Sequence, residues 1–228
     1  MTNKFEPPII PHDQLNPRLW ANDVLKPEVQ VALLRIAREF FKFLEIDTKI
    51  TDIVISGSQA NYNYTSHSDI DLHLIVPMED IQCDEPIEAL FDTKRKLWKA
   101  KHTIDIYGIA VECYAEDQAN PAVSSSYSLL SNKWINRPDA SKVDYNRAQV
   151  EQSVNTWTTL INHAVASQDL KELQKLTELL MTYRKVGLKQ QGEFGSANLT
   201  FKSLRNSGTL EQLHLALNQT KDSDLGLD

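Results

Sequence analysis

Cysteine is scarce in this chain: two occur in 228 residues, Cys83 and Cys113. Two cysteines make neither a disulfide framework nor a zinc site, and such a chain is most simply placed in the reducing cytoplasm. Long apolar runs are missing as well. No stretch approaches the roughly 18 apolar residues that a membrane span needs, so no membrane is expected as a partner. The opening residues, MTNKFEPPIIPHDQLNP, are polar and proline-rich and lack the basic-then-apolar pattern of a secretory signal. Basic charge is the third shortage. Against 31 acidic residues stand 24 Lys and Arg, a net charge of −7, which argues against binding long nucleic acid without sequence preference. No repeat with a period of 20–50 residues is present.

What remains is the composition of a globular chain, 41% hydrophobic, long enough for one large domain or two small ones. The charge is uneven. Residues 1–140 hold 14 basic and 21 acidic residues, residues 141–208 hold 9 and 6, and the last twenty hold 1 and 4. An acidic first half beside a mildly basic second half would suit metals on one side and phosphates on the other.

Residues 1–22 read as an arm, with Pro7, Pro8, Pro11 and Pro17 blocking regular structure. Pro27 suits a first helical position, and Val29, Leu33, Ile36, Ala37, Phe40, Phe41 and Leu44 recur at helical spacing to about 45. ITDIVIS, 50–56, reads as a buried strand ended by Gly57-Ser58, and DIDLHLIV, 69–76, as a strand of strict alternation. A helix is expected at about 86–101. TIDIYGIAVECY, 103–114, reads as one strand or as two joined near Gly108. Residues 121–142, rich in Ser, Asn and Pro, read as a linker. Residues 143–220 read as helical, with breaks near Ser167-Gln168-Asp169 and at the Gly192–Gly195 connection. The expected plan is α+β: a core at 23–120 with a mixed sheet and flanking helices, then a helical subdomain at 143–220.

The residues that carry chemistry lie at the mouth of the second strand. On a strand, side chains alternate between faces. Asp69, Asp71 and His73 therefore share one face, and Ile70, Leu72, Leu74 and Val76 share the other, which faces the core. Two carboxylates two residues apart repel unless a cation lies between them. Hard oxygen ligands suit Mg²⁺ or Mn²⁺ rather than Zn²⁺. Upstream, Gly57 follows a strand and allows close approach of backbone to a ligand, while Ser58 offers a hydroxyl and a backbone N–H to phosphate oxygens. His67 and Ser68 shape the turn that leads into the acidic pair.

Strand-Gly-Ser, about ten residues, then Asp-x-Asp opening an apolar strand, resembles the signature of the polymerase-β nucleotidyltransferase superfamily. The motif covers about residues 50–115. YSLLSNKW and RKVGLKQQGEFGSANLTFKSLRNSG resemble parts of a group of stand-alone nucleotidyltransferase-domain proteins frequent in bacteriophages and large viruses. The resemblance implies a nucleotidyltransferase core in which Gly57, Ser58 and Ser68 contact an NTP such as ATP, and Asp69 and Asp71 bind two divalent ions. It also implies a third carboxylate on a neighbouring strand. Asp105 and Glu112 are the candidates. Glu112 is preferred because Val111 and Cys113 flank it with core-facing parity, although most members carry Asp there. Arg184, Lys185 and Lys189, near a helix end, would hold the triphosphate. The implied reaction moves NMP from the NTP to an acceptor hydroxyl on an RNA 3′ end such as tRNA, on a protein, or on a small molecule. The alternative is a catalytically silent module that binds NTP or a protein partner.

Other features read more plainly. Lys94, Arg95, Lys96, Lys99, Lys101 and His102 form either a solvated helix face or a guide for an acceptor. Trp20, Trp98, Trp134 and Trp157 are expected as core or interface anchors.

Overall fold

The computed structural model describes residues 12–81, 86–119, 124–139, 145–224 and 226. The proline-rich arm up to residue 11, Cys83 and the segment 140–144 lie outside the described residues. Two compact units divide the chain, a sheet unit over His12–Ala140 and a helical unit from Ser141 onward.

In the sheet unit a two-stranded ribbon, β1 (Trp20–Ala21) with β2 (Val24–Leu25), leads into α1 (Pro27–Leu44). Pro27 stands in its first turn, and Val29, Leu33, Ala37, Phe40 and Leu44 form its buried stripe. β3 (Asp52–Ser56), a 3₁₀ turn (Gly57–Ala60) and β4 (Ile70–Val76) follow, then α2 (Ile87–Lys101), the short β5 (Asp105–Ile106) and β6 (Ile109–Asp117). β7 (Ser126–Ser128) and β8 (Lys133–Asn136) complete a six-stranded sheet of order β5-β6-β4-β3-β7-β8. β4 and β6 run parallel because α2 carries the chain back between them; the other pairs are antiparallel.

The sheet is two-faced. Ile70, Leu72, Leu74 and Val76 are fully buried with Ile53, Ile55, Val111 and Cys113. α1 packs over β4, and α2 packs over β6 and against α1. Phe40 and Phe43 of α1 meet Trp98 of α2 at ring distances of 5.4 and 5.3 Å. Burial pushes the Cys113 thiol up to about 12, so it behaves as a small core residue.

Two boundaries differ from the expected ones. Residues 121–142, read as a linker, contribute β7 and β8. Tyr127 is nearly inaccessible, its ring edge-on to Trp20 and to Trp134, each 5.1 Å away, and its hydroxyl donates to Asn132 Oδ1 at 2.8 Å. The arm read over 1–22 is likewise core from Leu15 onward: Leu15, Leu19 and Trp20 are buried, and Trp20 stacks on Trp134. Local composition hid both segments, because their order comes from one aromatic cluster that closes across more than a hundred residues.

The helical unit comprises α3 (Arg147–Ser167), α4 (Leu170–Gln191), α5 (Ser196–Asn206) and α6 (Thr209–Asp224). Left-handed Gln168 ends α3, and the Asp169 carboxylate caps α4 by accepting from Glu172 N. Val150, Ile161, Leu173, Leu180, Leu199, Leu204 and Leu213 build its core. At Gly187 a Cβ would fall 2.3 Å from that of Ala197, so α4 and α5 cross with almost no side chain between them. Among the described residues no helix is long and apolar enough to cross a membrane.

If β7 belongs to the folded core, Tyr127→Ala should lower stability by about 3–5 kcal/mol, the range for removing a buried aromatic side chain. Urea unfolding followed by tryptophan fluorescence checks this. A linker residue would change it by less than about 0.5 kcal/mol.

Candidate metal centre

Backbone pairing brings the acidic residues together. In the parallel pair β4–β6, Asp71 stands directly opposite Glu112. Asp69 precedes β4 with the same parity as Asp71. One carboxylate oxygen from each of Asp69, Asp71 and Glu112 lies within 4.8 Å of the others, and all three residues are partly buried. Asp105 sits elsewhere: it is exposed on β5, and its Oδ1 accepts from Gly108 N at 2.9 Å, closing the hairpin through Tyr107 and Gly108, both at positive φ.

The Gly-Ser turn packs against this cluster. Gly57 has φ +70°, and a Cβ there would lie 2.1 Å from Asp71 Oδ2. Glycine at 57 is therefore required twice, by its backbone and by the space that Asp71 occupies. Ser58 Oγ donates to Ser68 Oγ at 3.0 Å, and Ser68 Oγ also accepts from Thr65 N at 2.9 Å. Ser58 and Ser68, both expected at a nucleotide's phosphates, thus touch each other directly. Gln59 was missed in the sequence. Its Nε2 donates to Ser68 O, its Oε1 accepts from Asn16 Nδ2, and its backbone oxygen accepts from Trp20 Nε1. It fastens the acidic segment to the turn and to the N-terminal core.

Glu112 carries two further partners. Tyr114 OH donates to its Oε2 at 2.7 Å, and the Lys99 ammonium, reaching over from α2, pairs with its Oε1. Burial raises the Glu112 pKa, but the Lys99 and Tyr114 hydrogen bonds and the Lys99 and Arg95 charges outweigh it, so the carboxyl titrates below its ordinary value. Tyr114 moves the other way: burial, the Asp71 charge and its bond to Glu112 push the phenol well up. Both effects keep Glu112 a carboxylate and Tyr114 a donor. Tyr114 shares strand parity with Glu112, a signal visible in VECY but not used in the sequence reading.

Three carboxylates this close fit a hard divalent ion chemically: a compact set of oxygens with further positions for water or phosphate. The expected triphosphate residues lie in the helical unit. Arg184 Nε donates to Asn198 Oδ1 at 3.3 Å, and its guanidinium sits 4.4 Å over the Phe201 ring. Lys185 and Lys189 are exposed on α4.

No family model matches the sequence, and no curated protein matches it. Among solved structures, the STING-associated CdnE c-di-GMP synthase from Capnocytophaga granulosa is similar at 13% identity, covering 88% of this chain and 84% of that chain, with a TM-score of 0.23. A likeness that low carries no functional weight.

Gly57→Ala should weaken Mn²⁺ binding at least tenfold, read by electron paramagnetic resonance, because the new methyl displaces the Asp71 carboxylate. Asp71→Asn should lose the rise in melting temperature that Mg²⁺ gives the native chain. An Asp71→Asn protein still stabilised by Mg²⁺ would contradict the site.

Proposed function

We propose that this chain is a metal-dependent nucleotidyltransferase that moves NMP from an NTP to an acceptor hydroxyl with release of pyrophosphate. The observation that carries this reading is the convergence of Asp69, Asp71 and Glu112 within 4.8 Å beside the Gly57-Ser58 turn, in the order of the sequence signature.

In this reading Asp69, Asp71 and Glu112 hold Mg²⁺ or Mn²⁺, two ions by the resemblance. Bound there, the ions neutralise the triphosphate and acidify the acceptor hydroxyl. The residues of the chain do the positioning. Gly57 lets Asp71 sit against the turn. Ser58 and Ser68 present hydroxyls to phosphate oxygens. Tyr114 fixes one oxygen of Glu112, so that the other is available once Lys99 gives way. The acceptor oxygen forms a bond to the α-phosphorus, the bond from that phosphorus to the pyrophosphate oxygen breaks, and the hydroxyl proton is released. Rate enhancement comes from orientation and charge compensation, without a covalent enzyme intermediate. Arg184, Lys185 and Lys189 are proposed as triphosphate partners on the resemblance alone.

The Lys99–Glu112 ion pair favours a second reading, a silent module that binds NTP without turnover, since a lysine on the third carboxylate is a pairing that such a module would keep.

Incubation with each α-labelled NTP, Mg²⁺ or Mn²⁺, and candidate acceptors (total tRNA, the protein itself, small polyols and amines) decides between them. Labelled NMP should appear on one acceptor and fall at least 10³-fold in Asp69→Asn. Transfer that persists in Asp69→Asn would refute the assignment, whereas NTP binding by calorimetry with no transfer to any acceptor supports the silent module.

A further inference from the structure

The sheet face that bears the carboxylates continues beyond them. Two residues along, His73 of β4 stands opposite Tyr114 of β6, with the rings stacked 4.9 Å apart. His73 Nε2 lies 2.8 Å from Ser56 Oγ, and its Nδ1 lies 2.8 Å from Glu116 Oε1. These residues floor a cleft of about 850 Å³, and one side of it is formed by Glu88, Phe91, Asp92 and Arg95 of α2. The volume is that of a small-molecule site, about 300–1,000 Å³.

Beside it lies a cavity of about 130 Å³ that shares His73, Glu116 and Asp117 with the cleft and is lined by Ser126. Ser126 is 1% exposed, and its Oγ has no hydrogen-bond partner among the described residues. Strand register places it opposite Ser56, on the same face. A buried hydroxyl left so carries a desolvation cost that nothing offsets; a polar atom entering from the cavity would satisfy it.

The charge around the cleft is one-sided. Among the described residues, four carboxylates line it, those of Glu88, Asp92, Glu116 and Asp117, against the one Arg95 guanidinium. Arg95 is paired with Asp92, which Lys96 also reaches. The lining remains acidic after that pairing is counted. Such a cleft repels phosphates and favours a cation, and the Arg95 guanidinium, 5.3 Å over the Tyr114 ring, shows that one fits there. Tyr114 connects the cleft to the metal centre through its bond to Glu112, and two residues along a strand span only about 6.6 Å.

We propose that this cleft is the acceptor site and that its occupant is a small, hydroxylated, amine-bearing cation of the amino-sugar class. The proposal rests on the nucleotidyltransferase reading and selects among its acceptor classes. Ammonium groups meet Glu88 and Asp117, a hydroxyl meets Ser126, and another hydroxyl points along the strands to Glu112. An RNA end would bring phosphates against the same carboxylates.

The test uses the full-length protein without metal or nucleotide. A β-1,4-linked glucosamine disaccharide and its N,N′-diacetylated form share a shape and differ in charge. Calorimetry should show the diamine binding at least tenfold tighter. Glu88→Gln/Asp117→Asn should abolish that preference, Arg95→Gln should increase it, and Ser126→Ala should weaken both sugars. Equal affinity for the two sugars, a preference that survives the double variant, or binding of neither overturns the proposal. None of these outcomes touches the transfer reaction, which the Asp69→Asn comparison tests separately.

Discussion

Position 57 and Asp71 contend for one volume. Any side chain at 57 would stand where an Asp71 carboxylate oxygen sits, and the rest of the site is arranged around that contact. Pairing of β3 with β4 sets Ser56 opposite Asp71, so the turn must begin one residue later, at a backbone angle that glycine adopts without strain. The turn brings Ser58 to Ser68 and Gln59 to the backbone of Ser68. Those bonds fix the approach to Asp69. Pairing of β4 with β6 then delivers Glu112. Each carboxylate is thus placed by main-chain geometry, and the adjustable side chains Tyr114 and Lys99 are added afterwards.

Crowding like charges opposes folding, and the opposite face of the same strands offsets it. Ile70, Leu72, Leu74 and Val76 alternate with the polar residues and are entirely buried; a buried aliphatic side chain contributes about 1.5–3 kcal/mol relative to exposure. The alternation that makes β4 stable is the same alternation that lines up Asp71 and His73. A slip of one residue would reverse both faces at once, so the register that forms the core is the register that forms the site.

This is why so much was legible in the sequence. DIDLHLIV states its two faces outright, and the Val111–Cys113 frame turns Glu112 away from the core. The helix breaks at Gln168-Asp169 were equally plain, since a cap and a left-handed residue are local signals. The illegible parts were those stabilised from a distance. SYS and KWIN are too short and too polar to announce strands; SYS is held by pairing to β3, KWIN by pairing to SYS, and both by the Trp20 ring. The roles of Gln59 and Lys99 depend on neighbours 9 to 43 residues away in sequence. The Ser56–His73–Glu116 chain joins three strands, and periodicity along one strand cannot reveal it.

Helix α2 serves both faces of the sheet. Phe91 and Trp98 are buried, and Trp98 packs against the rings of α1, whereas Lys99 leans over the edge to Glu112 and Arg95 borders the cleft. The Trp98 contact thus holds both the helix and the lysine that it carries. A small rotation about its axis, within the tolerance of helix packing, would swing the lysine away from the carboxylate without breaking a backbone hydrogen bond. Core substitutions beneath α2 would then masquerade as lesions of the carboxylate cluster in a mutational scan, altering electrostatics in a place that they never touch.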